Sequence, residues 1–73
     1  MATEVKSEMA GTVWKIVANV GDTVEEEDPI VILESMKMEI PVESPVDGTV
    51  KELKVAEGDP VQEDDLIAIV AED

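Results

Sequence analysis

The residues of this chain that could take part in covalent chemistry lie in the stretch Glu34-Ser35-Met36-Lys37-Met38. Lys37 is one of only five lysines, and the chain has no arginine. An exposed lysine amine can react as a nucleophile once it is deprotonated. The alternative is an ordinary solvated lysine without a special role, whose two methionine neighbours fold into the core. Exposed methionines suit a recognition surface, so the pair favours an amine presented to a partner.

Composition argues against independent catalysis. The chain has 73 residues, no cysteine and no histidine, which excludes disulfides, thiolate metal sites and the usual general base. The formal net charge is −14, so nucleic acid and anionic membranes are excluded as partners, and a protein partner with a basic face is expected. Without a signal peptide or a long apolar run, the chain is expected to be cytoplasmic. It is also expected to be a monomer on its own.

An internal repeat organises the chain. A shift of 37 residues places Gly11-Thr12-Val13 on Gly48-Thr49-Val50, and Gly21-Asp22 on Gly58-Asp59. The two Gly-Asp pairs predict turns in which glycine takes a positive φ. Neither half could bury its apolar face alone. The repeat therefore predicts an all-β fold of two small sheets related by a pseudo-twofold axis, a sandwich or flattened barrel.

Residues 1–73 are accordingly expected to form a single domain, with pseudo-repeats at about 5–36 and 42–73. The run Thr12–Val20 is rich in β-branched residues, but its apolar positions do not share one face, so it requires a bulge or bend.

The strands on either side of Lys37 follow from local pattern. Ile30–Leu33 is fully apolar and predicts a central strand. Met38–Glu43 alternates polar and apolar residues, and Pro41 within it predicts an edge strand because proline has no N–H to donate. The connection between the two is short. A tight β-hairpin with Lys37 at its tip is therefore predicted.

The residues Glu34, Met36, Lys37 and Met38, placed at the junction of two Gly-Thr-Val repeats, resemble the attachment motif of biotinyl domains. These are the biotin carboxyl carrier domains of biotin-dependent carboxylases, and the length is similar to that of small stand-alone biotin/lipoyl attachment proteins. The resemblance covers nearly the whole chain. It implies a flattened barrel of two four-stranded antiparallel sheets, with a modified lysine on a β-hairpin.

The resemblance also implies a function without catalysis. Lys37 would carry covalent biotin, attached by a biotin protein ligase, and the arm would carry a carboxyl group between biotin carboxylase and carboxyltransferase sites. Met36 and Met38 would be recognised by these partners, and Glu34 would pair with a basic group of the ligase. Ser35 stands where many biotinyl domains have alanine, and it bears on carboxylation more than on attachment.

Two other functions remain open at this point. Lipoyl carriers of oxo-acid dehydrogenases share the fold, although lipoyl domains usually have Asp-Lys-Ala or a similar triplet around the lysine, where this chain has Met-Lys-Met. An unmodified interaction barrel would keep Lys37 as a free amine.

Overall fold

The computed structural model describes residues 1–72, and within them every regular element is a β-strand. The strands are short, as befits a chain rich in valine and isoleucine that is interrupted by turns. They are β1 (Ala2–Lys6), β2 (Gly11–Ile16), β3 (Thr23–Val24), β4 (Pro29–Ser35), β5 (Met38–Glu43), β6 (Gly48–Leu53), β7 (Pro60–Val61) and β8 (Leu66–Glu72).

The strands form two four-stranded antiparallel sheets, as predicted. One sheet, in the order β5-β4-β2-β7, contains the hairpin around Lys37, and we call it the tip sheet. The other, in the order β1-β8-β6-β3, contains the first and the last strand, and we call it the termini sheet. The 37-residue shift converts each strand of one sheet into the strand at the same place in the other. The predicted end of the second repeat, at Asp73, lies outside the described residues.

The predicted irregularity in the first β-rich run is a β-bulge. Pairing of β2 with β4 shifts between Val13 and Lys15, so Trp14 is the extra residue. The equivalent shift in the termini sheet falls between Val50 and Glu52. β2 ends at Ile16 and is therefore shorter than the predicted run Thr12–Val20. Each bulge turns the strand so that its apolar residues before and after it face the core.

The predicted Gly-Asp turns are present, and each has a second turn of the same kind after it. Gly21 and Gly58 have φ of 95° and 93°. Glu27 and Asp64, which are also repeat equivalents, take φ of 75° and 71° without the freedom of glycine. All four residues stand third in a four-residue turn. In each turn the backbone N–H of a fourth-position aspartate donates to the carbonyl oxygen of the first residue, which is the pattern of a type II turn.

The core lies between the two sheets, and both repeats supply it. Its fully buried members include Ile30 and Leu33 from the tip sheet and Ile67 and Val70 from the termini sheet. The central strand predicted at Ile30–Leu33 is confirmed, since β4 lies between β5 and β2. The edge position predicted for the Pro41 strand is confirmed as well. The core thus fixes β4 firmly, and β4 leads directly into the hairpin.

Candidate functional site

Lys37 lies at the tip of the hairpin formed by β4 and β5, as predicted. Ser35 and Met38 are the last paired residues, so the loop consists of Met36 and Lys37 alone. Their φ angles are 53° and 63°. Positive φ at both central residues of a two-residue loop defines a type I′ turn, whose twist matches that of the flanking strands. This geometry places Met36 and Lys37 at the end of the tip sheet, where both are exposed.

The tip residues are unusual for the backbone they adopt. Type I′ turns favour asparagine, aspartate and glycine, because other residues pay a steric cost in the left-handed region. Met36 and Lys37 occupy both positions nevertheless. Backbone strain of this kind persists mainly where function requires particular side chains. The pattern of alternation predicted the hairpin but contained no signal for the left-handed backbone.

Both methionines point away from the core. Met36 is 91% exposed and Met38 is 59% exposed, so the alternative in which they fill the core is wrong. Lys37 is exposed too. Among residues 1–72, the ion pairs formed by lysines join Lys6 to Glu4 and Lys54 to Glu52, and Lys37 takes part in neither. The tip therefore presents an amine flanked by two soft apolar side chains.

The two residues before the tip have different surroundings. Glu34 is exposed and lies opposite Thr12 of β2 and Glu39 of β5. Ser35 is half-buried at the base of the turn. Five residues predicted for the site are thus brought together on one hairpin. Glu34 forms no ion pair with another described residue and is free to meet a basic group.

Gly11 supports the tip in a way that the sequence did not reveal. A Cβ on Gly11 would lie 2.9 Å from the Glu34 carbonyl oxygen and 3.4 Å from Ser35 Cβ. The first residue of β2 therefore packs directly against the backbone just before the turn. Its place in the repeated Gly-Thr-Val triplet was the available signal. The triplet marks strand starts, but the contact of the first triplet with the hairpin depends on the pairing of β2 with β4.

The strain at the tip leads to a first prediction. Met36→Asn is expected to raise the free energy of unfolding by about 1 kcal/mol, because asparagine tolerates the left-handed region far better. Urea denaturation of both proteins measures the difference. Met38→Asn is the matched control, since Met38 lies in the extended strand β5. If both variants gain equally, the effect comes from removing exposed methionine and the strain argument is wrong.

Residues 1–72 contain no group of acidic residues arranged to hold a metal ion. None of their elements is a helix long and apolar enough to cross a membrane. The tip is the feature in which reactive group, exposure and strained backbone coincide.

The hairpin and the paired sheets define the chain as an attachment domain of the biotinyl and lipoyl type. The family model described as "Biotin-requiring enzyme" matches residues 3–70. The chain belongs to this Biotin_lipoyl family, which confirms the resemblance drawn from the Met-Lys-Met motif.

Characterised relatives are similar over about half of the chain. Biotinylated protein TB7.3 of Mycobacterium bovis is 50% identical over 42 residues, which cover 58% of this chain and 59% of the relative. The biotin/lipoyl attachment protein of Bacillus subtilis is 50% identical over 38 residues, or 52% of each chain. The biotin carboxyl carrier protein of Streptococcus mutans is 53% identical over 38 residues, covering 52% of this chain and 29% of that one. The matched segments thus span less than two thirds of these relatives.

Solved structures of carboxylases contain the same fold. The urea carboxylase of Kluyveromyces lactis superimposes with a TM-score of 0.93 and 39% identity, covering 97% of this chain and 6% of that one. A single-chain, multi-domain long-chain acyl-CoA carboxylase superimposes with a TM-score of 0.91 at 24% identity, covering 99% of this chain and 7% of that one. This second likeness is one of fold. A barrel of this kind therefore occurs as one small part of much larger carboxylases.

Proposed function

We propose that this chain is a biotin carrier, a monomeric and non-catalytic cytoplasmic domain whose Lys37 is biotinylated by a biotin protein ligase. The observation that supports it best is the exposed amine of Lys37 between two exposed methionines, on a type I′ tip of a Biotin_lipoyl family member. The tip suits an acylated lysine, because the amine is outside the ion pairs of the described residues and the turn holds it beyond the barrel end.

The attachment step is amide formation. The lone pair of the deprotonated Lys37 Nζ attacks the acyl carbon of biotinyl-adenylate, which the ligase makes. The bond between that carbon and the phosphate oxygen breaks, AMP leaves with the electron pair, and the second amine proton passes to a base. Histidine, the usual general base, is absent from the chain, and Lys37 is in neither of the ion pairs formed among residues 1–72. The ligase must therefore deprotonate the amine by its own residues or by desolvation.

The chain's own residues present the amine and keep it in position. Two central strands, β4 and β2, anchor the hairpin, and Gly11 lets them approach closely at its base. A lysine held in one backbone geometry loses less conformational entropy when it enters a ligase active site. Met36 and Met38 offer apolar contacts on both sides of the amine, and Glu34 offers a negative charge to a basic ligase group.

The carrier role follows from the attached group. Biotin, when bound, supplies a site for reversible carboxylation on a long flexible arm. The protein's part is to bring that arm to a biotin carboxylase and then to a carboxyltransferase, each on a larger subunit or domain. Tethering replaces diffusion by a high local concentration at each site, and such concentrations reach the order of millimolar for short flexible links. The acidic surface favours docking to basic faces of these partners.

The proposal is tested by exposing the purified domain to biotin, ATP and a biotin protein ligase, with lipoate and a lipoate ligase in a parallel reaction. Intact mass spectrometry is expected to show one biotin per chain and no lipoate. A chain that remains unmodified in both reactions would instead be an interaction barrel. Lipoate in place of biotin would assign it to oxo-acid dehydrogenases.

A further inference from the structure

The outer face of the tip sheet carries a row of apolar residues that the proposed attachment reaction does not use. Trp14 at the bulge of β2 is 49% exposed. Next to it Ile32 of β4 is half-buried, and beyond it Pro41 of β5 is exposed. Ile32 pairs directly with Pro41 on one side and with Lys15, beside Trp14, on the other. The three residues therefore lie side by side across three neighbouring strands.

The termini sheet shows that this row is not required by the fold. Its equivalent row, at the same backbone positions, consists of Lys51, Ile69 and Glu4, with Glu52 in place of Lys15. Lys51 and Glu4 are exposed, as their counterparts are. The same bulge and the same edge strand thus carry charged residues on one sheet and a tryptophan and a proline on the other. Large exposed apolar groups that the scaffold does not need mark interaction sites.

The position of the apolar row relates it to Lys37. Ile32 lies four residues before Met36 along an extended strand, a distance of about 13 Å. A standard interface buries about 800 Å² on each partner, which corresponds to a patch of roughly 16 Å radius. A protein that binds the tip through an interface of this size therefore contacts the row of Trp14, Ile32 and Pro41 as well. Between the two lies an acidic row formed by Glu34 and Glu39.

Charge selects the kind of partner. A second copy of this chain would bring together two bodies of net charge −14, and like charges oppose that association. A partner with an apolar surface bordered by basic groups would instead cover the tryptophan and meet both glutamates.

We propose that the row of Trp14, Ile32 and Pro41 is the docking surface for the biotin protein ligase, an inference that rests on the proposed function. The ligase is assigned rather than a carboxylase because amide formation requires Lys37 itself to enter the active site. Carboxylase sites need only the end of a long arm. Tryptophan is one of the residue types that most often dominate the binding energy of an interface.

The first test is kinetic and uses the substitution that the other sheet already contains. Trp14→Lys should fold, since Lys51 occupies the equivalent bulge, and it should raise the KM of the ligase for the domain at least tenfold with kcat within twofold. Lys51→Ala, on the opposite face, should leave both constants unchanged. An unchanged KM for Trp14→Lys in a folded domain would overturn the assignment. Failure of the wild-type domain to accept biotin would contradict the proposed function instead.

The second test uses the fact that Trp14 is the only aromatic residue. In a domain labelled with ¹⁵N and carrying Lys37→Arg, the single indole N–H signal should shift when unlabelled ligase is added. The signal of the wild-type domain should not shift on biotinylation alone. A shift on biotinylation without a partner would show that the arm covers Trp14, and it would overturn the docking surface. So would a signal that responds to a carboxylase but not to the ligase.

Discussion

Lys37→Arg is expected to abolish biotinylation completely. Arginine keeps the positive charge and much of the length of lysine, so the hairpin and its surface charge are preserved. Its guanidinium is protonated at all accessible pH values and its lone pairs are delocalised. It therefore cannot attack an acyl carbon as an amine does. Intact mass after incubation with ligase, ATP and biotin should show the unmodified chain.

The matched control for this substitution is Lys51→Arg. Lys51 is also an exposed lysine, but it lies on the termini sheet away from the tip. This variant should accept one biotin at the wild-type rate. Biotin on the Lys37→Arg chain, or its loss from Lys51→Arg, would mean that another amine is the attachment point. Urea denaturation of both variants should give the wild-type midpoint, which separates loss of the nucleophile from loss of the fold.

Much of this site could be predicted from sequence because the repeat carried the information. Two equivalent halves required two equivalent sheets, and Lys37 falls at the junction between them. Proline in the strand after it identified that strand as an edge, and the structure agrees. The burial pattern departs from simple alternation at four register shifts, and the sequence predicted the one in the run around Trp14. The division of the fold into two equivalent sheets was thus encoded in the 37-residue repeat.

The features that sequence did not predict depend on backbone geometry or on contacts between distant strands. The left-handed angles of Met36 and Lys37 could not be inferred, since these residues rarely adopt them. The sequence did not show that Trp14 lies on the same face of the tip sheet as Ile32 of β4, because the bulge decides on which side Trp14 lies. The run around Trp14 also ended earlier than its composition indicated, at Ile16. Propensity measures the preference of a residue for a strand and does not report where pairing stops.

The tight packing of Gly48 accounts for the largest expected loss of stability. Gly48 is buried in the termini sheet, between Glu72 of β8 and Val24 of β3. An added Cβ would overlap the carbonyl oxygen of Ala71, with the Ala71 carbonyl carbon at 2.8 Å and Val70 Cγ1 at 2.9 Å. Backbone atoms cannot move away as a flexible side chain can. Since β6 is paired on both sides, neither neighbour can separate without breaking ladder hydrogen bonds.

Gly48→Ala is therefore expected to lower the free energy of unfolding by at least about 3 kcal/mol, in the range found for severe overpacking. Small domains have stabilities near the low end of about 5–15 kcal/mol, so much of the margin would be lost. The urea midpoint and the thermal midpoint should both fall steeply.

Gly11→Ala provides the comparison, because Gly11 is the repeat equivalent of Gly48. Its added Cβ would meet one backbone atom at 2.9 Å, the Glu34 oxygen, and the next contact, Ser35 Cβ, is at 3.4 Å. The backbone at Glu34 must shift to relieve this contact, but by less than the backbone at Ala71 would have to, so the cost should be smaller, about 1–2 kcal/mol. However, the strain falls on the base of the hairpin, and this variant should slow biotinylation while it remains folded. Equal destabilisation of the two variants would show that the sheets are packed alike, and that the clash at Ala71 does not control stability.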